Sequence, residues 1–267
     1  VLRFSGSGVS DVGLVRAENE DSGFVGPYVA LVADGVGGAA AGEIASATAA
    51  YAVTATVLQR AGADAAAVVA DAFAAARDNV RLGIQRDLTR LGMATTLTVL
   101  VTDGRSVVLG HVGDSRAYLL RGGVLRQITT DHTYVQHLVD TGRLSDQARS
   151  THPWRNVVLR SLDGDPESAG LDITRLDARV GDRLLICSDG LTDLVDDARI
   201  ETVLRAQDPD AAATALTQRA LAAGGRDNIT CVVVDVINGP RVVGDGKLLG
   251  AVGDPRNIVD AAAVRLA

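Results

Sequence analysis

Aromatic residues are scarce, with one Trp, four Tyr and three Phe in 267 residues. Nucleic-acid binders rely on a basic surface and often on stacking rings. This chain has 26 Lys and Arg against 33 Asp and Glu, a formal net charge of −7, so no nucleic-acid partner is expected. Cysteine is nearly absent. Cys187 and Cys231 each sit in an apolar, β-branched run, which suits buried thiols rather than a disulfide framework. No stretch reaches 18 apolar residues, and the opening residues lack a basic region followed by a long apolar run. No membrane segment or secretory signal is therefore read in this chain, and a reducing, cytoplasmic setting is expected. The four histidines (His111, His132, His137, His152) form no ligand-spaced cluster, which argues against zinc. A Gly-Lys-Ser/Thr phosphate loop, a Gly-x-Ser-x-Gly elbow and a calcium loop are all missing.

What is present is apolar mass, 47% of the chain, arranged in short strand-like runs and long Ala-rich helical ones. Tyr28 to Ala33 reads as a buried strand, followed by helices over Glu43 to Arg60 and Asp64 to about Arg90. Thr95 to Thr102, Ser106 to Val112, Ala117 to Leu120 and Val124 to Ile128 read as a strand meander. From 131 to 164 the pattern loosens into an excursion over a site. Arg183 to Ser188 and Ile229 to Val236 are further strands, with a helix near Ala211 to Ala223 between them. Strand clusters alternating with helix pairs, without a single βαβ rhythm, predict an α+β layered fold. Residues 238–267 read as an extension, a linker or a short helix over Asn257 to Leu266.

The acids fall at the ends of these strands: Asp34 before Gly35, Asp114 before Ser115, Asp189 before Gly190, Asp227 ahead of the last strand, and Glu20-Asp21 after Asn19. Taken singly, an Asp-Gly is usually a turn. Jointly, carboxylates converging on one cleft repel one another unless cations neutralise them, and all-oxygen ligation selects hard ions such as Mg²⁺ or Mn²⁺. Gly35 to Ala40 also matches a dinucleotide fingerprint formally. Asp34 beside a pyrophosphate, and the neutral stretch Tyr51 to Gln59 where a ribose-binding acid belongs, count against it.

In order along residues 5 to 236, these motifs resemble the metal-dependent protein Ser/Thr phosphatases of the type 2C (PPM) family, in its bacterial branch. Arg16-Ala17-Glu18-Asn19-Glu20-Asp21, Asp34-Gly35-Val36-Gly37-Gly38, Gly92-Met93-Ala94-Thr95-Thr96, Gly113-Asp114-Ser115-Arg116, Cys187-Ser188-Asp189-Gly190 and Gly225-Arg226-Asp227-Asn228 carry the resemblance. It implies a catalytic domain over 1–237, built as an α-β-β-α sandwich of two antiparallel sheets flanked by helix pairs, with a flap at about 131–164. It implies that Asp34 bridges two Mn²⁺ or Mg²⁺ ions, with the Gly35 carbonyl on one and Asp189 and Asp227 on the other. Asp114, with Asp189, would serve a third. Glu20, Asp21 and Asn228 would support from behind, Arg16 would grip the phosphate, and Arg160 or His152 would contact peptide. A water bridging the two ions would be the nucleophile.

The pattern departs where relatives carry histidines, at Val36, Ala39 and Ala40. A side-chain general acid is not evident there, which affects rate by about 10² to 10⁴ without abolishing catalysis. The expected partners are phosphorylated proteins, Ser/Thr kinases and the kinases' substrates. The alternatives are a phosphoprotein-binding regulatory module with little turnover and a dinucleotide-binding oxidoreductase.

Overall fold

The computed structural model describes residues 1–36, 41–168 and 170–262. In chain order the elements are β1 (Leu2–Asp11), β2 (Asp21–Val25), β3 (Val29–Val36), α1 (Gly42–Gln59), α2 (Ala65–Arg86), β4 (Ala94–Thr95), β5 (Leu97–Thr102), β6 (Val107–Val112), β7 (Arg116–Arg121) and β8 (Val124–Gln127). Then follow α3 (Tyr134–Asp140), β9 (Asp172–Leu176), β10 (Arg183–Cys187), α4 (Asp189–Thr192), α5 (Asp197–Ala206), α6 (Pro209–Ala222), β11 (Ile229–Asn238) and β12 (Lys247–Gly250). One sheet has five strands in the order β1-β11-β10-β7-β8. The other has seven, β12-β2-β3-β5-β6-β9 with β4 beside β3. The pairings are antiparallel throughout.

Side-chain alternation explains the four layers. Along β3, Val29, Leu31 and Ala33 face α1 and α2, whereas Ala30 and Val32 join the core between the sheets. Along β11, Cys231 and Val233 face α5 and α6, while Val232 and Val234 enter the same inter-sheet core. Period two thus sends each strand into two cores, so both faces read as apolar. The buried alanines of α1, Ala45, Ala49, Ala52 among them, let that helix lie close on the sheet. Replacing Leu31, fully buried, by Ala would cost about 2–5 kcal/mol through lost transfer energy and a cavity.

The structure corrects the expected meander. β5 and β6 form a hairpin in the seven-stranded sheet, but β7 and β8 belong to the five-stranded one. The chain crosses between sheets at Gly113-Asp114-Ser115, where Gly113 has φ +107° and a Cβ would meet Thr96 Cγ2 at 2.5 Å. β1 has no counterpart in the sequence reading because Gly6, Gly8 and its serines resemble a loop. It pairs with β11 along its whole length, and a Cβ on Gly6 would meet Val233 O at 2.0 Å. The extension after residue 238 is packed on the domain where it is described, and residues 263–266 of the short helix read over Asn257 to Leu266 lie outside the described residues. β12 pairs with β2, Ala251 and Val252 pack into the α1 core, and the Thr48 hydroxyl donates to Asn257 O and accepts from Val259 N–H. Cys187 and Cys231 are register partners on β10 and β11, both buried and free. Among the described residues no helix is long and apolar enough to cross a membrane.

Candidate active site

The acids converge because strand ends from both sheets meet at one edge. Asp21 opens β2 directly opposite Asp34 on β3. Asp34 is fixed from its other side: its N–H donates to Thr96 Oγ1 at 2.9 Å, and its carbonyl accepts from Thr96 N–H at 2.8 Å and Thr95 Oγ1 at 2.9 Å. The Thr96 hydroxyl also meets Ser115 Oγ at 2.8 Å, which ties the crossover bearing Asp114 to the same corner. Asp189 begins α4 rather than ending β10. A Cβ on Gly190 would meet Asn228 O at 1.9 Å, so glycine permits α4 to press against the turn carrying Asp227. At Gly35 a Cβ would meet Gly42 O at 2.3 Å, so the close approach of the turn after Asp34 to the start of α1 also needs glycine. Gly37, Gly38, Ala39 and Ala40 lie outside the described residues.

Asn228, 3% exposed, clamps the opening motif. Its Oδ1 accepts from Glu20 N–H at 2.8 Å, and its Nδ2 donates to Val12 O and Glu18 O, each at 2.9 Å. Asp21 is wholly buried. Its Oδ2 accepts from Ser188 and Thr230 hydroxyls at 2.7 Å, whereas its Oδ1 has no hydrogen-bond partner. Asp34, Asp114, Asp189 and Asp227 are half-buried rather than sealed in, and Asp114 and Asp189 line a cleft.

Charge repulsion is visible in the acidities. Burial, then Asp21 and Asp189, push Asp34 well above the usual carboxylate range. Asp189 is pushed likewise by burial and Asp114. Burial and Asp131 raise Asp114 to about 7, and burial raises Asp21 to about 6 against the pull of its two hydroxyl donors. Glu20 is raised by burial. Each direction says that the ionised forms lack compensation from the protein.

Arg16 donates to Asp227 Oδ2 at 2.8 Å. Both side chains are well exposed, so the guanidinium is accessible beside Asp227. The two peptide-contact candidates, Arg160 and His152, have partners within the chain. Arg160 donates to Asp172 Oδ1 at 2.8 Å and to Gly170 O, and so is engaged at the base of the flap. His152 packs near Tyr134 and Trp154, with ring centroids at 6.3 and 6.0 Å. Neither lines the cleft of about 320 Å³ that runs from Asp114 and Asp189 under the flap. That cleft is lined instead by Arg116, Asp131, Arg149, Arg155, Asn156 and Asp193. Sequence reasoning missed these residues because it counted acids at strand ends. Asp193 lies one helical turn beyond Asp189 on the same side, a spacing that could have drawn attention to it. Arg116 is committed to Asp131, with Nε–Oδ1 2.9 Å and Nη2–Oδ2 2.6 Å. A larger cavity of about 550 Å³, between α1 and residues 241–248, is mostly apolar and shares no lining residue with the cleft. The chemistry belongs to the acids.

Among the described residues no three acids, imidazoles or thiols close into a ready cage. The acids are instead near enough to raise one another's pKa. Fit to a hard divalent cation rests on three observations: the donors are all oxygens, Asp21 Oδ1 is buried without a partner, and Asp34 is raised by burial and by Asp21 and Asp189 while Asp189 is raised by burial and by Asp114.

Comparison with known proteins agrees with this arrangement. The sequence profile of protein phosphatase 2C matches residues 19–223. The serine/threonine protein phosphatase PstP of Mycobacterium tuberculosis is 44% identical over 241 residues, covering 89% of this chain and 46% of PstP. The chain thus spans about half the length of that relative. The serine/threonine phosphatase stp of Listeria innocua is 33% identical over 238 residues, covering 85% of this chain and 93% of stp. The solved catalytic domain of PstP in complex with two manganese ions superposes with TM-score 0.83 at 39% identity, covering 89% of this chain and all of that one. This chain belongs to the protein phosphatase 2C family.

Proposed function

We propose that the chain is a Mn²⁺- or Mg²⁺-dependent phosphatase that hydrolyses phosphoserine and phosphothreonine in proteins. The observation that carries this reading is the meeting of Asp34, Asp114, Asp189 and Asp227 from both sheets, each of the first three raised in pKa by burial and by neighbouring acids. Asp34, the Gly35 carbonyl, Asp189 and Asp227 would hold two ions, and Asp114 with Asp189 would offer a third position. The two manganese ions of the PstP catalytic domain and the phosphatase activity named for stp support the assignment. Divalent ions bound there supply a water of lowered pKa and offset charge at phosphorus.

The chain's own residues do the rest. Asn228 and the Glu20 backbone fix the loop that carries Arg16. Arg16 presents a planar, paired donor to the phosphate while remaining close to Asp227. Asp21, held by Ser188 and Thr230, keeps a negative charge behind the ions. The flap, 131–164, covers the cleft and meets the peptide around the phosphoresidue through Arg155 and Asn156, which line it. Phosphoproteins and their Ser/Thr kinases are the expected partners, in the cytoplasm, where free buried thiols such as Cys187 and Cys231 suit a reducing medium.

The test is hydrolysis of a phosphothreonine peptide and of p-nitrophenyl phosphate with Mn²⁺, with chelator, and with Asp34→Asn. Turnover that needs Mn²⁺ and vanishes in the variant supports the reading. Peptide binding without turnover would instead favour a regulatory module.

A further inference from the structure

His132 stands at the root of the flap and grips the turn that carries Asp114. Its backbone N–H donates to Gly113 O at 2.8 Å, and its ring Nδ1 accepts from Gly113 N–H at 3.1 Å. One residue therefore satisfies both polar groups of Gly113. On the returning limb of the flap, Leu159 N–H donates to His132 O at 2.8 Å, and Thr133 bridges Val158. Both limbs thus hang from the residue that holds Gly113.

The ring can be assigned one tautomer. Nδ1 accepts, so the neutral imidazole carries its proton on Nε2, which donates to Asp172 Oδ2 at 2.9 Å. Arg160 Nη1, 2.9 Å from Nε2, faces another donor there. Its guanidinium is compensated by Asp172 Oδ1 through Nη2 at 2.8 Å. Burial and then Arg160 keep the imidazole below its ordinary acidity range, which agrees with a neutral ring. Gly113 itself offers no side chain, and a Cβ would collide with Thr96. Its turn can be held only through the backbone.

We propose that His132 is a positioning residue that ties the orientation of Asp114 to the root of the flap, linking a cation held by Asp114 to the segment that meets the substrate. The idea rests on Asp114 being a cation ligand, as read above. Outer partners of metal ligands set affinity by about 10- to 100-fold; His132 acts one residue removed from Asp114, through the Gly113 backbone, and is also the root of the flap.

Calorimetric titration of the metal-free chain with Mn²⁺ tests this. The variants are His132→Asn, His132→Gln and His132→Leu, each alone and with Asp114→Asn. Asn places Oδ1 where Nδ1 was and retains the bond from Gly113; Gln reaches toward Asp172 and loses that bond. The Mn²⁺ class that Asp114→Asn removes should weaken about 10- to 100-fold in the Leu and Gln variants. It should stay close to wild type in the Asn variant. In the Asp114→Asn background the three should be indistinguishable. Equal Mn²⁺ binding throughout, or rescue by Gln and not by Asn, overturns the proposal. If Asp114→Asn leaves every class of Mn²⁺ unchanged, the proposal fails at its premise. The phosphatase reading does not fall with it, since that depends on Asp34→Asn.

Discussion

Aspartates at the rim of this protein and aspartates in its cleft sit under opposite electrostatics. At the rim, Asp172 is held low by Arg160, Asp177 by Arg179, and Asp254 is brought to about 2 by Arg256. In the cleft, Asp34 and Asp189 face other acids and are pushed up. The chain has arginine enough to pair its rim, yet at the cleft it offers Arg16 to Asp227 and Arg116 to Asp131 and leaves the central carboxylates unmatched. The positive charge missing there is what the proposed cations would supply.

The largest break in that comparison is Asp34→Asn, with effects of opposite sign. Activity with Mn²⁺ should fall by more than about 100-fold, beyond the range for outer partners of a ligand. A carboxylate whose folded pKa is raised favours the fold at acid pH and opposes it once pH rises past that value. In chelator at neutral pH the variant should therefore melt above wild type. Wild type should in turn gain about 5–10 °C from Mn²⁺ at a hundredfold over its Kd, from about 2.7 kcal/mol of linkage at about 2–4 °C per kcal/mol. The variant should gain much less. Melting curves with and without Mn²⁺ decide both signs, and a variant less stable than wild type in chelator would contradict the account of the cleft.

Next comes the pair at the boundary of the two regions. Arg116 and Asp131 are both largely buried, and Asp131 is 7% exposed. Arg116→Met strands a buried carboxylate, for which about 3–5 kcal/mol is expected in urea unfolding. Adding Asp131→Leu should recover much of it, since an apolar pair needs no compensation. Recovery of nothing would mean that the lost bond to the Tyr118 hydroxyl, rather than the stranded charge, dominates.

A smaller and pH-dependent effect belongs to His111, packed against His132 at 4.8 Å between ring centroids. Its Nε2 donates to Thr130 O at 3.0 Å and its Nδ1 pairs with the Thr98 hydroxyl at 2.9 Å. Burial and then His132 depress it to about 4. A depressed histidine stabilises fully above about 6.5 and loses that contribution as pH falls toward 4, up to about 3 kcal/mol. The slope of unfolding free energy between those pH values should flatten in His111→Gln. An unchanged slope would assign it to the acids alone.

Much of this contrast was legible in the sequence, for a physical reason. Asp34, Asp114, Asp189 and Asp227 each lie beside an apolar strand or a glycine turn, so their common location follows once the strands are assigned. The two sheets were harder to read. β5 to β8 look like one meander, and only the left-handed Gly113, with Thr96 against it, reveals the crossover. β1 was hidden because close approach to β11 requires glycine at position 6, and glycine reads as loop. Arg160 and His152 are read as peptide-contact candidates from their place in the flap. Their tertiary partners, Asp172 from β9 for Arg160 and the Tyr134 and Trp154 rings for His152, could not be foreseen from local pattern.

The smallest expected effect sharpens the comparison from the rim. Arg256 meets Asp254 with Nη2–Oδ2 2.6 Å and Nε–Oδ1 3.0 Å, close to ideal for a forked pair, yet its side chain is 89% exposed. Water screens such a pair, and ordering two side chains offsets what attraction remains. Asp254 has a second task, since its Oδ1 accepts from Arg256 N–H at 3.0 Å and caps the turn Pro255–Asn257. Arg256→Ala leaves that cap intact and should leave the melting temperature within measurement error. Asp254→Ala removes the cap and should lower it slightly more. If Arg256→Ala instead cost several degrees, rim pairs would matter to the fold as much as buried ones, and the contrast between rim and cleft would lose its energetic meaning.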